Sequence, residues 1–572
     1  MAVKSPIDFP IIKVIFSLVL FICLWGQFDR DEWTPDEPRV VAISMEMAET
    51  GNVIIPHLAG AYFIEKPPLY FALSAGAISA LPFLEPITAV RNVNAILALL
   101  TLYFTFLLGK EIKDRETGYL AAVVLGTMEG FVIQTHWSRV DNLLILTIIA
   151  ASWAFYYAFK HQQHRYILLG SLFTGLSFLS KGFIGVVMIG AIWLAAALSF
   201  SIEYLQGKRK NSTTFHFSYY KVKSHILIHI TGLAVFTLVA GTWIYLLKKF
   251  GTEDIWHEWF WVNHVGRFSG TAQGLGHVHP GQPFYYLKAI MEFSLPWLPI
   301  LIAAVFLFVT KTIKKAQIET AELFMILSLG ITVTLLTISD TKRSLYLFPL
   351  LPLFALAVAY TLSHCRGWWT QWFQNIWLAL SLVIMLALLG LPLYISKFAN
   401  TIPENMLSYL SEFNWRSLLL LFSIVALTMV WRKQWMYAFY HKVVLATVLL
   451  YFCLFGVLNP PINIVKSMRQ DTHDFVEQIP LGMRERIAGY GFGETSLSAL
   501  VIEDNWKFAT IDSPKRVEKI LLGDDSEYDS IIIEHSGAIE HMLEGLPPSR
   551  IKAKGNPRSD KENQGIYWLI GV

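Results

Sequence analysis

Apolar runs recur along almost the whole chain, at about residues 11–28, 91–109, 117–136, 142–159, 166–180, 182–200, 226–247, 294–310, 321–338, 344–362, 376–395, 415–431 and 443–458. A helix needs roughly 18 to 20 mostly apolar residues to cross the hydrocarbon core of a bilayer. The pattern therefore predicts a polytopic α-helical membrane protein with 13 transmembrane helices. The runs 166–180 and 182–200 are parted only by Lys181-Gly182, which predicts a tight turn. A further stretch, 69–84, is short and bracketed by Pro67, Pro68, Pro82 and Pro86. Beyond residue 458 the pattern changes. Ile531-Ile532-Ile533 reads as a buried strand, and Val517–Leu522 and Ala538–Leu546 as helical stretches, so 459–572 is expected to be a small α/β domain.

Loop charges orient the spans, because short cytoplasmic loops collect Lys and Arg. Basic clusters occur at Lys110/Lys113/Arg115, Lys160/Arg165, Lys208/Arg209/Lys210/Lys221/Lys223, Lys311/Lys314/Lys315 and Arg432/Lys433/Lys442. All of them share a side with the N-terminus only if 69–84 does not span. That stretch is therefore read as a helix lying along the outer surface. The N-terminus is then expected in the cytoplasm. Residues 29–90, 137–141, 248–293, 339–343, 396–414 and the tail after 458 are expected outside. The domain reading is a transmembrane unit, 1–458, with outer loops 29–90 and 248–293, followed by the outer α/β domain.

Composition agrees. The 572 residues are 54% hydrophobic and 16% charged, against about 25% charged in an average soluble domain, and mean hydropathy is +0.47. A net charge of +3 gives no reason to expect a nucleic-acid partner. Three cysteines, Cys23, Cys365 and Cys453, form no disulfide framework. The first apolar run continues directly into Asp29, Arg30, Asp31 and Glu32 without a small-residue cleavage site, and reads as a retained anchor.

Ionisable residues near membrane depth are costly and read first as functional. The outward segments concentrate them at Thr34-Pro35-Asp36-Glu37-Pro38-Arg39, Glu65-Lys66-Pro67-Pro68, Ser138-Arg139-Val140-Asp141 and Asn263-His264-Val265-Gly266-Arg267-Phe268. A weaker set is Asp340, Lys342, Arg343 and Tyr346. Their convergence on one side carries more weight than any one motif. Each also has a plainer reading. Asp36 and Glu37 suit the first turn of the helix suggested by 39–50. Lys66 suits a snorkelling helix end, Asp141 a helix cap, Arg139 a surface charge, His264 a rim histidine and Arg343 a helix end. The aromatic residues of 256–268 suit an interfacial belt. His277 and His279 lie in a Gly-rich loop (274–281) that reads as an ordinary surface loop, with a mobile lid as the alternative.

An Asp-Glu-x-Arg in the first outer loop, a Glu-Lys-Pro-Pro and a Ser-Arg-x-Asp before a later span resemble the GT-C membrane glycosyltransferases. The branch most similar is bacterial and related to protein O-mannosyltransferases, and within it the lipid A aminoarabinose transferases. The resemblance implies a 13-span layout, juxtamembrane helices after the first span, a periplasmic C-terminal domain and a bacterial inner-membrane location. It also implies a polyprenyl-phosphate-sugar donor and inversion at the anomeric carbon. The residues fit that donor, since its phosphate sits at the bilayer surface and its departure is stabilised by preorganised cations. Arg39, Lys66 and Arg267 are the phosphate-binding candidates. Asp36, Glu37 and Asp141 are the catalytic candidates. Glu65, His264, Arg343 and Tyr346 are the substrate-binding candidates. A hydroxyl acceptor needs a general base, which Asp36 supplies; a phosphate acceptor needs none. The sequence departs from the relatives' aromatic-aromatic-Glu-Lys pattern, reading Tyr62-Phe63-Ile64-Glu65-Lys66. Some relatives hold a divalent metal near that Glu; no outer-loop histidine after residue 279 and before the tail obviously completes such a site here, so a metal near Glu65 is an unsupported option and no cofactor is expected.

The acceptor is expected to be a lipopolysaccharide-type glycolipid, with a protein hydroxyl as the alternative. A transporter or flippase is a reading of another class. Transporters place ionisable residues mid-membrane, often in repeated halves; here the charges gather at one surface and no repeat is present. An oligosaccharyltransferase would carry Trp-Trp-Asp-Tyr-Gly in the tail, and 459–572 has none. Membrane lipids are the remaining expected partners.

Overall fold

The computed structural model describes residues 9–210, 219–266, 269, 282–314, 316–363, 368–395, 415–432, 439–507, 509–534, 547–555 and 566–570. Within them, nine helices are long and apolar enough to cross a membrane, or up to eleven if each of two bent pairs is one span. The predicted runs 11–28 and 166–180 become Phe9–Ile22, 14 residues, and Arg165–Lys181, 17 residues. At 1.5 Å per residue these reach about 21 and 26 Å, short of a core of about 30 Å. The structure thus differs from the 13 expected spans at these two helices.

The bent pairs are Arg115–Leu125 with Glu129–Thr135, at 63°, and Tyr285–Phe293 with Leu298–Ile313, at 119°. A break at membrane depth is tolerated only where protein takes up the freed polar groups, and here the two breaks serve each other. The Glu129 backbone N–H donates to the Leu295 carbonyl at 2.8 Å. The Trp297 indole donates to the Thr127 hydroxyl at 2.9 Å. Elsewhere the helices Pro86–Ile112 and Arg115–Leu125 meet at Gly109 and Gly118; such small residues let helix backbones approach closely.

The stretch 69–84 forms a helix only over Leu69–Ala80. Its 12 residues span about 18 Å, too short to cross. It buries Tyr70, Phe71 and Ala75 against Val40, Val41, Ile43 and Met47 of the helix Asp36–Thr50. Between the two helices runs a two-stranded hairpin, β1 (His57–Leu58) and β2 (Ala61–Tyr62). Its turn residues Ala59 and Gly60 have φ of 54° and 83°, the left-handed pair that a two-residue hairpin needs. The Glu46 carboxylate accepts the Gly60 N–H at 3.0 Å and so fastens the hairpin to the first helix. Glu65 and Lys66 follow directly.

The C-terminal segment builds a four-stranded sheet in the order β3 (Ile487–Tyr490), β4 (Ser530–Ile533), β6 (Ile566–Ile570), β5 (Ile551–Gly555). β3 and β4 are parallel and the other pairings antiparallel. The predicted strand at 531–533 is β4, buried throughout. The predicted helix at 517–522 lies within Pro514–Leu522. The one at 538–546 lies outside the described residues.

Candidate active site

The segment after the first helix is folded around one buried carboxylate. Glu37 is fully buried. Its oxygens accept from Arg30 at 2.5 and 3.1 Å, from Arg91 at 3.1 Å, and from the backbone N–H groups of Trp33 and Ser138, both at 2.9 Å. Arg91 also donates to the carbonyls of Arg30 and Asp31, and Arg30 to that of His136. Burial would push the Glu37 carboxyl up, but the two guanidiniums and these hydrogen bonds outweigh it and hold it at about 2. The result is a fixed relation between the Asp36–Thr50 helix and the turn Ser138-Arg139-Val140-Asp141. Asn94 reinforces it, accepting from the Tyr70 hydroxyl at 2.6 Å and donating to Ser138 Oγ at 3.0 Å.

Beside this frame opens a cleft of about 460 Å³. Asp36, Arg39, Glu65, Lys66, Arg139, Asp141, Lys181, Arg343 and Tyr346 line it, with Val40, Val140 and Leu345. Five cations face three carboxylates. Asp36 contacts Arg39 at 3.0 Å and Arg139 at 2.8 Å, the latter an ion pair rather than a hydrogen bond. Arg139 is set by Gln134 Oε1 at 2.7 Å and lies 4.5 Å from the Trp137 ring centre. Lys181 donates to Asp141 at 2.5 Å and lies 5.1 Å from the Tyr346 ring centre. The neighbouring Ser180 hydroxyl donates to the Val140 carbonyl at 3.1 Å. The turn after Lys181 requires glycine. Gly182 has φ of 70°, and the His264 imidazole stands where a Cβ would go.

Charge in the cleft is unevenly compensated. Burial alone would raise the Asp36 carboxyl, but Arg139, Lys66, Arg39 and Arg343 together keep it below its ordinary range. Lys66 is the opposite case. Burial and then repulsion from Arg39 outweigh the attraction of Glu65 and Asp36 and lower its ammonium to about 8. Its nearest carboxylate, Glu65, stands 3.8 Å away.

Seven of the ten sequence candidates line the cleft: Asp36, Arg39, Glu65, Lys66, Asp141, Arg343 and Tyr346. Glu37 does not; its carboxylate is consumed in the frame behind Asp36. His264 does not line it either. It packs on Phe183 and Trp259 and hydrogen-bonds the Trp259 carbonyl at 2.7 Å, supporting the Lys181 turn from outside. Arg267 lies outside the described residues, as do His277 and His279. Lys181 was missing from the sequence candidates. The signal was present, since the span order puts the 181–182 turn on the same outer side. Among the described residues no cluster of three or more His, Cys, Asp or Glu is arranged to hold a metal ion.

The dolichyl-phosphate-mannose-protein mannosyltransferase family model matches residues 65–208. An undecaprenyl phosphate-alpha-4-amino-4-deoxy-L-arabinose arabinosyl transferase of Proteus mirabilis is 27% identical over 61% of this chain and 59% of its own length. One from Shewanella sediminis is 28% identical over 52% of this chain and 50% of its own. The matched region thus spans about half to three-fifths of these relatives. Crystal structures of ArnT from Cupriavidus metallidurans superimpose over 97% of both chains. The TM-score is 0.72 for the form bound to undecaprenyl phosphate, at 15% identity, and 0.70 for the apo form, at 16%. The chain therefore resembles the dolichyl-phosphate-mannose-protein mannosyltransferase family in sequence over 65–208 and shares, over nearly its whole length, the fold of ArnT.

Proposed function

We propose that the protein is an integral membrane glycosyltransferase that moves a sugar from a polyprenyl-phosphate donor to a lipid A-type glycolipid at the outer face of the membrane. The observation that carries this is the cleft itself, where an under-compensated Lys66 ammonium and four further cations surround two aspartates. Such a site suits a leaving phosphate beside a sugar. The relatives' names add support for the donor and the sugar. In the proposed reaction an acceptor oxygen attacks the anomeric carbon from the face opposite the phosphate. The bond from that carbon to the phosphate oxygen breaks, and polyprenyl phosphate leaves with the negative charge. Lys66, Lys181 and Arg343 stabilise that charge, while Asp36 and Asp141 hold the sugar.

A carboxylate kept below its ordinary range is a weak base. Asp36 therefore suits an acceptor phosphate that arrives ionised better than a hydroxyl that must lose a proton. This favours the glycolipid over a protein acceptor. The reading includes 13 spans, with Phe9–Ile22 and Arg165–Lys181 completing the set, a transmembrane unit over 1–458 and a C-terminal α/β domain over 459–572. It places the N-terminus in the cytoplasm, and the cleft and C-terminal sheet on the periplasmic side of a bacterial inner membrane. A reporter fused near residue 88 tests the orientation and is expected to read periplasmic. Mass spectrometry of envelope glycolipids from cells with and without the protein tests the activity. The expected result is a sugar-bearing lipid A species that vanishes with the protein; an unchanged glycolipid profile with an altered glycoprotein profile points to the protein acceptor instead.

A further inference from the structure

Arg39 carries three carboxylates on one guanidinium. Asp36 stands 3.0 Å from Nη2 and Glu65 3.7 Å from Nη1. The third is Glu494, which accepts a hydrogen bond from that same Nη1. Asp36 and Glu65 belong to the outer loop that forms the cleft. Glu494 comes from the C-terminal segment, at the start of the helix Glu494–Asp504.

The C-terminal sheet holds Glu494 in place. Glu534 follows β4 directly and is buried. Its carboxylate accepts the Gly493 N–H at 2.7 Å and the Ser496 hydroxyl, fixing the turn from which Glu494 projects. Leu497, Val501 and Ile502 of the same helix join the apolar cluster on the face of Asp36–Thr50. A second ion pair, Lys507 to Glu49 at 2.5 Å, ties the far end. Glu49, unlike Arg39, does not line the cleft.

Asp36 and Glu65 are each shared with a second cation, Arg139 at 2.8 Å and Lys66 at 3.8 Å, whereas the ion pair of Glu494 is with Arg39. The Glu494 side chain is 52% exposed, while those of Asp36 and Glu65 are 20% and 18%, so Glu494 is the easiest of the three to displace. An entering phosphate oxygen that seeks Arg39 meets a carboxylate already in that seat, and like charges in one site repel. We propose that Glu494 is an anion gate. The C-terminal segment seats this carboxylate on Arg39 while the cleft lacks phosphate, and an incoming polyprenyl phosphate displaces it. The gate lowers donor affinity and couples donor entry to the Glu494–Asp504 helix. It rests on the polyprenyl-phosphate reading of the cleft.

The test is equilibrium binding of undecaprenyl phosphate to the full-length protein in lipid nanodiscs. Glu494→Gln keeps the shape and removes the charge. It is expected to tighten binding about fivefold, or about 1 kcal/mol, and added salt is expected to narrow that gap because the pair is half exposed. Lys507→Gln opens the other ion pair without touching Arg39 and is expected to leave affinity unchanged. In the wild type, hydrogen exchange over 494–504 is expected to rise when the probe binds. Unchanged or weaker binding by Glu494→Gln, beside a wild type that binds, overturns the gate alone. Equal tightening by Lys507→Gln also overturns it, since docking and not the seated charge then sets affinity. No binding by either the wild type or Glu494→Gln overturns the gate and the donor reading together.

Discussion

Replacing Lys66 by Met separates the charge of this side chain from its packing. The ammonium sits in the cleft at about 8 instead of its ordinary 10.5, chiefly through burial. That difference corresponds to about 3 kcal/mol of disfavour for the charged form at neutral pH. Because the folded value is lowered, the penalty is complete below pH 8, shrinks as the folded protein releases the proton, and is gone above 10.5. Lys66→Met is therefore expected to stabilise the empty protein, with a raised Tm at pH 7. Donor binding is expected to move the other way. A phosphate oxygen about 4 Å from the ammonium gains about 4 kcal/mol at an effective dielectric near 20. Losing most of this weakens binding of undecaprenyl phosphate by roughly 100-fold, or about 3 kcal/mol. The bound phosphate restores the ammonium, so wild-type binding takes up a proton above pH 8 and weakens about tenfold per pH unit there. The phosphate's own second ionisation near 6 lies below this range. The assay is a binding titration in nanodiscs from pH 7 to 10 with both proteins. Wild-type affinity that is flat across the range, or a Met variant within threefold of wild type at pH 7, refutes the reasoning.

Asp36→Asn is expected to lower sugar transfer at least 100-fold with normal membrane insertion; near-normal turnover of the purified variant removes Asp36 from the site. Lys181→Met is expected to lower kcat more than it raises KM for the donor, because in the proposed reaction its charge acts on the departing phosphate; a pure KM effect assigns it to ground-state binding. Glu37→Gln leaves two buried guanidiniums without their anion and is expected to cost about 3 kcal/mol, read as a fall in Tm. Since the folded Glu37 carboxyl sits at about 2, below its ordinary 4.5, its stabilisation is present above 4.5 and lost as pH falls toward 2; the Gln variant is expected to lack that acid loss in a thermal scan.

The site was legible mainly through the membrane. Span parity brought Asp36, Lys66 and Asp141 to one side, and seven of the ten candidates line one cleft. Neighbours on one helix differ by roughly 100° in direction, and sequence alone does not show which neighbour faces the cleft. Asp36 faces it, while Glu37 points back to Arg30 and Arg91. Lys181 escaped because two apolar runs meeting at Lys-Gly read as a turn, whose chemistry appears only when Asp141 is brought beside it. Glu494 was out of reach for a different reason. Nothing local ties residue 494 to residue 39, and their meeting depends on the Glu534 anchor and the apolar seam under Val501. In the fold, the twelve-residue Leu69–Ala80 helix follows from its bracketing prolines, while the facing breaks at Thr127 and Leu295 leave no mark in hydropathy.

The proposed reaction is transfer from a lipid-linked sugar within the Asp36–Lys66–Asp141 cleft. Its most direct test is a reconstituted reaction of the purified protein with undecaprenyl-phosphate-linked aminoarabinose and lipid A, followed by mass spectrometry of both lipids. The expected result is one aminoarabinose added to lipid A for each undecaprenyl phosphate released, with both signals lost in Asp36→Asn. Sugar transfer from a nucleotide sugar with no lipid-linked sugar present, or turnover unaffected by Asp36→Asn, would contradict it.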